Sequence, residues 1–155
     1  VDPGLPSTSF FVCQQHFPEN FWNPAFQKHP NGATDIRVVT LAAAEPGSHA
    51  GFLSAFTGST ADRSNEKRLV LRLRNGGHLA VERRADAVGC VSFAVTVPDL
   101  AGQAALLTKA AIRHDVSGES ITVRVDGGYG VSIVFASLAA LRGRFDGAGE
   151  RETNP

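Results

Sequence analysis

The sequence predicts an α+β protein made of two tandem βαββ units, and three observations carry that reading. Residues 35–58 run from a β-branched apolar stretch, through a Pro-Gly break, into an apolar stripe at helical spacing. The same order of strand, break and helix returns roughly 54 residues later, over 90–112, as an internal repeat would. Each of these segments is then followed by two alternating strands joined at glycines, 68–82 and 120–136. Chance periodicity in a chain rich in Ala and Val is the competing explanation.

In chain order, residues 1–7 form a Pro/Gly-rich lead-in with a loose tip. Residues 8–14 (TSFFVCQ) read as a short buried strand with no helix of its own, so its module is missing. Residues 15–28 are aromatic and punctuated by Pro18 and Pro24, which predicts a loop with at most short helical turns. His29, Pro30, Asn31, Gly32 and Ala33 make a turn into the first unit.

That unit opens with a largely buried strand from Ile36 to Ala44. Pro46 fixes its own φ and biases Glu45 away from helix, and Ser48 is placed to cap the helix after it. Phe52, Leu53 and Phe56 form the helical stripe, with Gly58 as the stop. Residues 59–66 are polar and expected to be exposed. The first hairpin turns Leu69, Leu71 and Leu73 inward and bends at Asn75, Gly76 and Gly77.

In the second unit Val91, Phe93, Val95 and Val97 alternate as a strand, and Pro98, Asp99 and Leu100 break it. Leu106, Leu107 and Ala110 are the helical stripe. Ile121, Val123 and Val125 point inward from the second hairpin, which turns at Asp126, Gly127 and Gly128. No other apolar surface can cover the two stripes, so Phe52, Leu53, Phe56, Leu106 and Leu107 are expected in the core. Residues 139–141 form a final turn and 143–155 a frayed, flexible tail. The chain thus divides into a linker (1–34), one domain of two units (35–86 and 87–138, within 35–142) and the tail.

Length and charge limit the functions open to the chain. At 155 residues it can bury one substantial core. Its formal net charge is zero, and its one basic cluster is Arg83 beside Arg84, so neither nucleic acid nor an acidic membrane is the expected partner. No apolar run has membrane-spanning length, and no signal peptide is expected. Cys13 and Cys90 read as reduced thiols of a cytoplasmic protein. The chain begins with Val and contains no Met, as a processed or truncated product would.

Several polar residues are candidates for chemistry. His16 and Glu19 lie three apart beside Phe17, Phe21 and Trp22, and could serve as a general base with its orienting carboxylate or as two metal ligands. The plainer alternative, which the residues favour, is a polar loop pinned to the sheet by its aromatics. His78 and Glu82 are four apart on a strand and share a face. Inward, they would be the best acid–base or metal pair in the chain. Alternation puts Leu79 and Val81 on the other face, so His78 and Glu82 are expected to face solvent. His29 reads as a turn residue bonding local backbone, and His49 and His114 as solvated. Neither cysteine has the His-and-amide pattern of a thiol nucleophile, although His16 is near Cys13. Strands follow both glycine turns, which rules them out as phosphate loops.

One stretch carries a resemblance. FFVCQQHFPENFWNPAFQKHPNGATDIRVVTL, with Cys13, Gln14, His16, Pro18, Glu19, Trp22 and the run from His29 to Ala33, resembles the linker of glyoxalase-like proteins of the vicinal oxygen chelate superfamily. The resemblance implies paired βαβββ modules whose curved mixed sheet wraps a pocket, with helices on its outer face. It implies a divalent metal held by His and Glu from the first and last strand of each module. The first-strand positions fall near Val38 and Ser92, residues 131–135 carry no carboxylate, and the first unit offers Glu82 alone. No complete metal site is therefore expected in this chain, and any divalent metal would depend on a preceding half of a longer protein. His16 and Glu19 are the catalytic candidates, and Trp22, Val38 and Ser92 the binding ones, in a pocket lined mainly by apolar strand residues. The functions left open are a lyase, isomerase or dioxygenase acting on a small oxygenated molecule, a non-catalytic binder of a drug-like ligand, and a structural half-domain. The expected partners are a small-molecule ligand and either a second copy, as a homodimer, or the missing N-terminal half.

Overall fold

The most continuously apolar stretch of the chain becomes the centre of the sheet. In the computed structural model, which describes Leu5, residues 8–124 and residues 130–145, strand β1 spans Asp35–Ala43 and is buried over most of its length. Pro46 ends the extended run and opens a short 3-10 turn, Pro46–His49, that leads into helix α1, Ala50–Thr57. Gly58 stops α1 in the left-handed conformation at φ 64°, where a Cβ would be strained. Ser48 does not cap α1: it lies within the 3-10 turn, and its hydroxyl donates to the Glu45 carbonyl at 2.7 Å.

The polar stretch after α1 holds an exposed edge strand, β2 (Ala61–Asn65). It pairs antiparallel with β3 (Arg68–Arg72), and β3 turns into β4 (His78–Arg83). At that turn the Asn75 side chain accepts the Gly77 amide at 3.0 Å, and Gly76 has φ 77°. The second unit repeats the plan with β5 (Gly89–Thr96), α2 (Leu100–Lys109), β6 (Asp115–Ser117), β7 (Ser120–Val123) and β8 (Ser132–Ala136). Val125 and the second glycine turn lie outside the described residues. A third helix, α3 (Leu138–Phe145), closes the described chain.

The eight strands form one curved mixed sheet in the order β2-β3-β4-β1-β5-β8-β7-β6. That order reads the same from either end once β1 is matched to β5, β2 to β6, β3 to β7 and β4 to β8. β1 and β5 are antiparallel at the centre, and each is flanked by the parallel last strand of its own unit. Val38 pairs with Ala94 and Thr40 with Ser92, so a twofold that exchanges Val38 with Ser92 also exchanges Ala94 with Thr40. Its axis passes between Val39 and Phe93. The α+β class of tandem units is the fold observed.

Helices α1 and α2 cover the outer face. Leu53 packs with Leu41, Leu69, Leu71, Leu79 and Val81, and Leu107 with Ile121 and Val123. The expected stripes are only partly right, because Leu106 is 49% exposed and Phe56 36%, against 7% for Leu107 and 0% for Leu53. Two further expectations are corrected. Residues 8–14 form no strand: Phe11 and Val12 are exposed, and Phe10 packs edge-on against Phe52 and Phe56 of α1, at 5.1 and 5.3 Å, beside the first core cluster. Residues 143–145 are helical rather than frayed, and α3 lies on the concave face, where Leu141 and Phe145 are buried against Val38, Val70 and Ala80.

Candidate functional site

Strand alternation sets what the concave face carries. Opposite Val39 and Leu41, β1 presents Val38 and Thr40; β5 presents Ser92 and Ala94. Thr122, Ser132 and Val134 continue the same face across β7 and β8. Together they line an open cavity of about 660 Å³, within the range of small-molecule sites. Glu82 of β4 and three arginines, Arg84, Arg124 and Arg144, complete its polar lining. The lining is therefore richer in hydroxyl and guanidinium groups than the apolar pocket expected.

The charges are only partly neutralised within the cavity. Asp86, which holds Arg84 through two hydrogen bonds at 3.0 and 2.7 Å, stands outside the lining. That pair raises the Arg84 pKa above its usual value and lowers that of Asp86. Arg124 reaches Asp115, also outside the lining, at 3.3 Å. Glu82 lies 3.7 Å from Arg68 of the neighbouring strand. Cys90, on the rising edge of β5, keeps an exposed surface, yet crowding by the surrounding protein pushes its thiol pKa up. Both cysteines are free thiols.

Of the sequence candidates, Val38 and Ser92 line the cavity, on adjacent strands and two residues apart in register. His16, Glu19 and Trp22 lie on an exposed loop around the 3-10 turn Pro18–Asn20 and do not contribute to the lining. The Trp22 indole donates to Gln15 Oε1 at 2.6 Å. His29 bonds locally, its Nδ1 meeting the Asn31 side chain, and Asn31 in turn donates to Gln103 of α2 at 2.8 Å. His114 likewise makes a local contact, with the Ile112 carbonyl at 2.9 Å.

Two histidines are corrected. His49, expected in solvent, is buried where the 3-10 turn meets α1. His78 is 4% exposed, and its ring stacks on Phe145 at 5.1 Å and 27°. Alternation assigned His78 and Glu82 the face opposite Leu79 and Val81 correctly, but that face is the concave one and α3 covers part of it. The residues missed were the arginines Arg84, Arg124 and Arg144 and the hydroxyl residues Thr40, Thr122 and Ser132. The signal for the hydroxyl residues is a small hydroxyl side chain set between apolar neighbours on a strand buried from the other side.

The resemblance implies a divalent metal, and the donor set does not fit one. The first-strand positions hold Val38 and Ser92. On the last strands the concave-facing residues are His78, Ala80 and Glu82 on β4, and Ser132, Val134 and Ala136 on β8. Among the described residues, no three His, Cys, Asp or Glu side chains come together where they could hold a metal ion. Nor is any helix there long and apolar enough to cross a membrane.

No protein-family model matches the chain, and no curated protein sequence matches it either. Solved structures do match. Methylmalonyl-CoA epimerase from Mycobacterium tuberculosis superposes with a TM-score of 0.56 at 15% identity, over 72% of this chain and 95% of that one. A variant of the Streptomyces coelicolor epimerase, in complex with 2-nitronate-propionyl-CoA, gives 0.53 at 15% identity, over 68% and 97%. An extradiol ring-cleaving dioxygenase from B. fuscum gives 0.53 at 15%, over 71% of this chain and 35% of that one. Both kinds of enzyme belong to the vicinal oxygen chelate superfamily, and the likeness shows that this chain has the glyoxalase-like fold.

Proposed function

We propose that this chain is a ligand-binding module of the glyoxalase-like fold that holds a small anionic, oxygen-bearing molecule in its concave cleft, through guanidinium and hydroxyl groups rather than a chelated metal. The observation that carries this reading is the sign of the lining. Arg84, Arg124 and Arg144 face the cavity with Glu82 as the carboxylate among the described lining residues, while Asp86 and Asp115 stand outside it. Asp86 and Asp115 offset part of this charge, and an entering anion would share the guanidinium groups of Arg84 and Arg124 with them. Guanidinium groups match carboxylate and phosphate oxygens in geometry as well as charge. Thr40, Ser92, Thr122 and Ser132 add neutral donors and acceptors that orient the remaining oxygens.

The acyl part of the 2-nitronate-propionyl-CoA held by the Streptomyces coelicolor epimerase carries a small oxygen-bearing anion, which supports the reading by analogy of fold. An isomerase, lyase or dioxygenase reaction has less to support it, because the described lining supplies one carboxylate and no histidine.

Calorimetric titration with malonate, inorganic phosphate and the neutral dimethyl ester of malonate tests the proposal. The anions should bind, more weakly as salt is raised. Losing a charged hydrogen bond in Arg124→Gln should weaken them about ten- to a hundredfold. Equal binding of the ester and the diacid would overturn the reading.

A further inference from the structure

We infer that the Phe145 side chain fills a slot built for a planar aromatic ring, and that an aromatic ligand takes the slot when α3 lifts off the concave face. The slot adjoins the anion-binding cleft and shares α3 with it, since Arg144 and Phe145 both line the cavity, but recognition of an uncharged ring does not rest on anion binding.

The slot is built by the sheet. His78 of β4 stacks on the Phe145 ring, with centroids 5.1 Å apart and planes at 27°. The Arg68 guanidinium carbon, from β3, stands 4.6 Å from the ring centroid. Val38, Val70 and Ala80 form the apolar floor. Arg68 also lies 3.7 Å from Glu82 on the adjacent strand, an approach that does not involve α3. Arg68 therefore keeps a partner on the sheet when the helix leaves, and His78 remains part of β4. A stacking ring and a cation over the π face select for aromatic character, beyond the apolar volume of the occupant.

The occupant is held by its docking onto the sheet, where Leu141 is 6% and Phe145 5% exposed. The described eight residues of α3 are too few to be stable as a helix by themselves in water, so this segment draws on its docking. Its buried residues are Leu141 and Phe145, and its start is tied by the Ser137 hydroxyl, which accepts the Ala140 amide at 3.1 Å. The twofold gives the concave face two equivalent halves. The half over β5, β7 and β8 contributes most of the open cavity, and the half over β3 and β4 holds the ring.

Indole and cyclohexanol, both uncharged, are the probes. In the wild-type chain, indole should speed amide hydrogen exchange across residues 138–145 several-fold and leave β1 and β4 unchanged. Removing the internal competitor in Phe145→Ala should tighten indole binding on the order of tenfold or more. That variant should prefer indole over cyclohexanol about tenfold, and adding Arg68→Gln should erode the preference. Equal binding of the two probes by Phe145→Ala would reduce the slot to a plain apolar cavity and overturn the inference. So would wild-type exchange in α3 that does not respond to saturating indole, a measurement that needs no variant to fold.

Discussion

Asp99 stands at the N-cap of α2 in extended backbone, and its carboxylate accepts the Gly102 amide at 2.9 Å. The fit depends on Gly102 having no side chain, since a Cβ there would come 2.4 Å from Asp99 Oδ2. One of the amides that a helix start leaves without an internal partner is satisfied in this way. Asp99→Ala is expected to destabilise the fold by about 1 kcal/mol, and Asp99→Ser to retain most of that. Urea midpoints measure both, and an unchanged midpoint in Asp99→Ala would mean that the cap does not form in solution. The sequence marked this place as a break between strand and helix, because Pro98 reads locally. His78 shows the other side: alternation put it on the right face, but only the return of α3 decides that this face is dry at His78. Thr40 and Ser132 were missed for the same reason, since a hydroxyl between apolar strand neighbours is only a weak signal until the sheet curves around it.

At the scale of elements, α2 offers the sharpest contrast. Leu106 and Leu107 are neighbours of equal size, yet they differ in exposure by 49% to 7%. The buried residues of α2 are Gln103 and Leu107, one turn apart, and this row faces the sheet. Leu107→Ala should therefore cost about 2–5 kcal/mol, and Leu106→Ala no more than about 0.5 kcal/mol. Thermal or urea denaturation of the two variants side by side reads the difference, and comparable losses would put the helix in a different rotation. Strands β1, β3, β4, β5, β7 and β8, both described turn signals and the stop at Gly58 were legible because they depend on alternation, glycine and proline, which act within a few residues, whereas the edge strands β2 and β6 have too little apolar alternation to read. The rotation of α2 was not, since Leu106 and Leu107 are equally apolar in sequence. The segment 8–14 was misread because its pattern suits a strand while no sheet edge receives it. Phe10 meets Phe52 and Phe56 instead, and Phe11 and Val12 stay exposed.

At the scale of the whole molecule, the two units share more than symmetry. The sheet runs unbroken from one to the other through the antiparallel pairing of β1 and β5. The concave-face cluster joins Val38, Val70 and Ala80 of the first unit to Ala94, Ala136 and Leu141 from the second half of the chain. Unfolding either half would strip cover from the other, so neither has a separate reason to remain folded. A single cooperative transition is the expected outcome, with calorimetric and van't Hoff enthalpies in agreement. Leu53→Ala acts in the outer cluster of the first unit and Leu107→Ala in that of the second, and both should lower the same midpoint. Because the two sites belong to different clusters, their effects should add to within about 0.3–0.5 kcal/mol in the double variant. Far-UV circular dichroism is the right probe, since Trp22 sits on the exposed loop and its fluorescence would follow the loop instead of the core. Two separate transitions, each moved by only one of the substitutions, would mean that the halves fold independently. The concave cluster would then be a contact between finished units, and the cleft it lines would open and close with their relative motion.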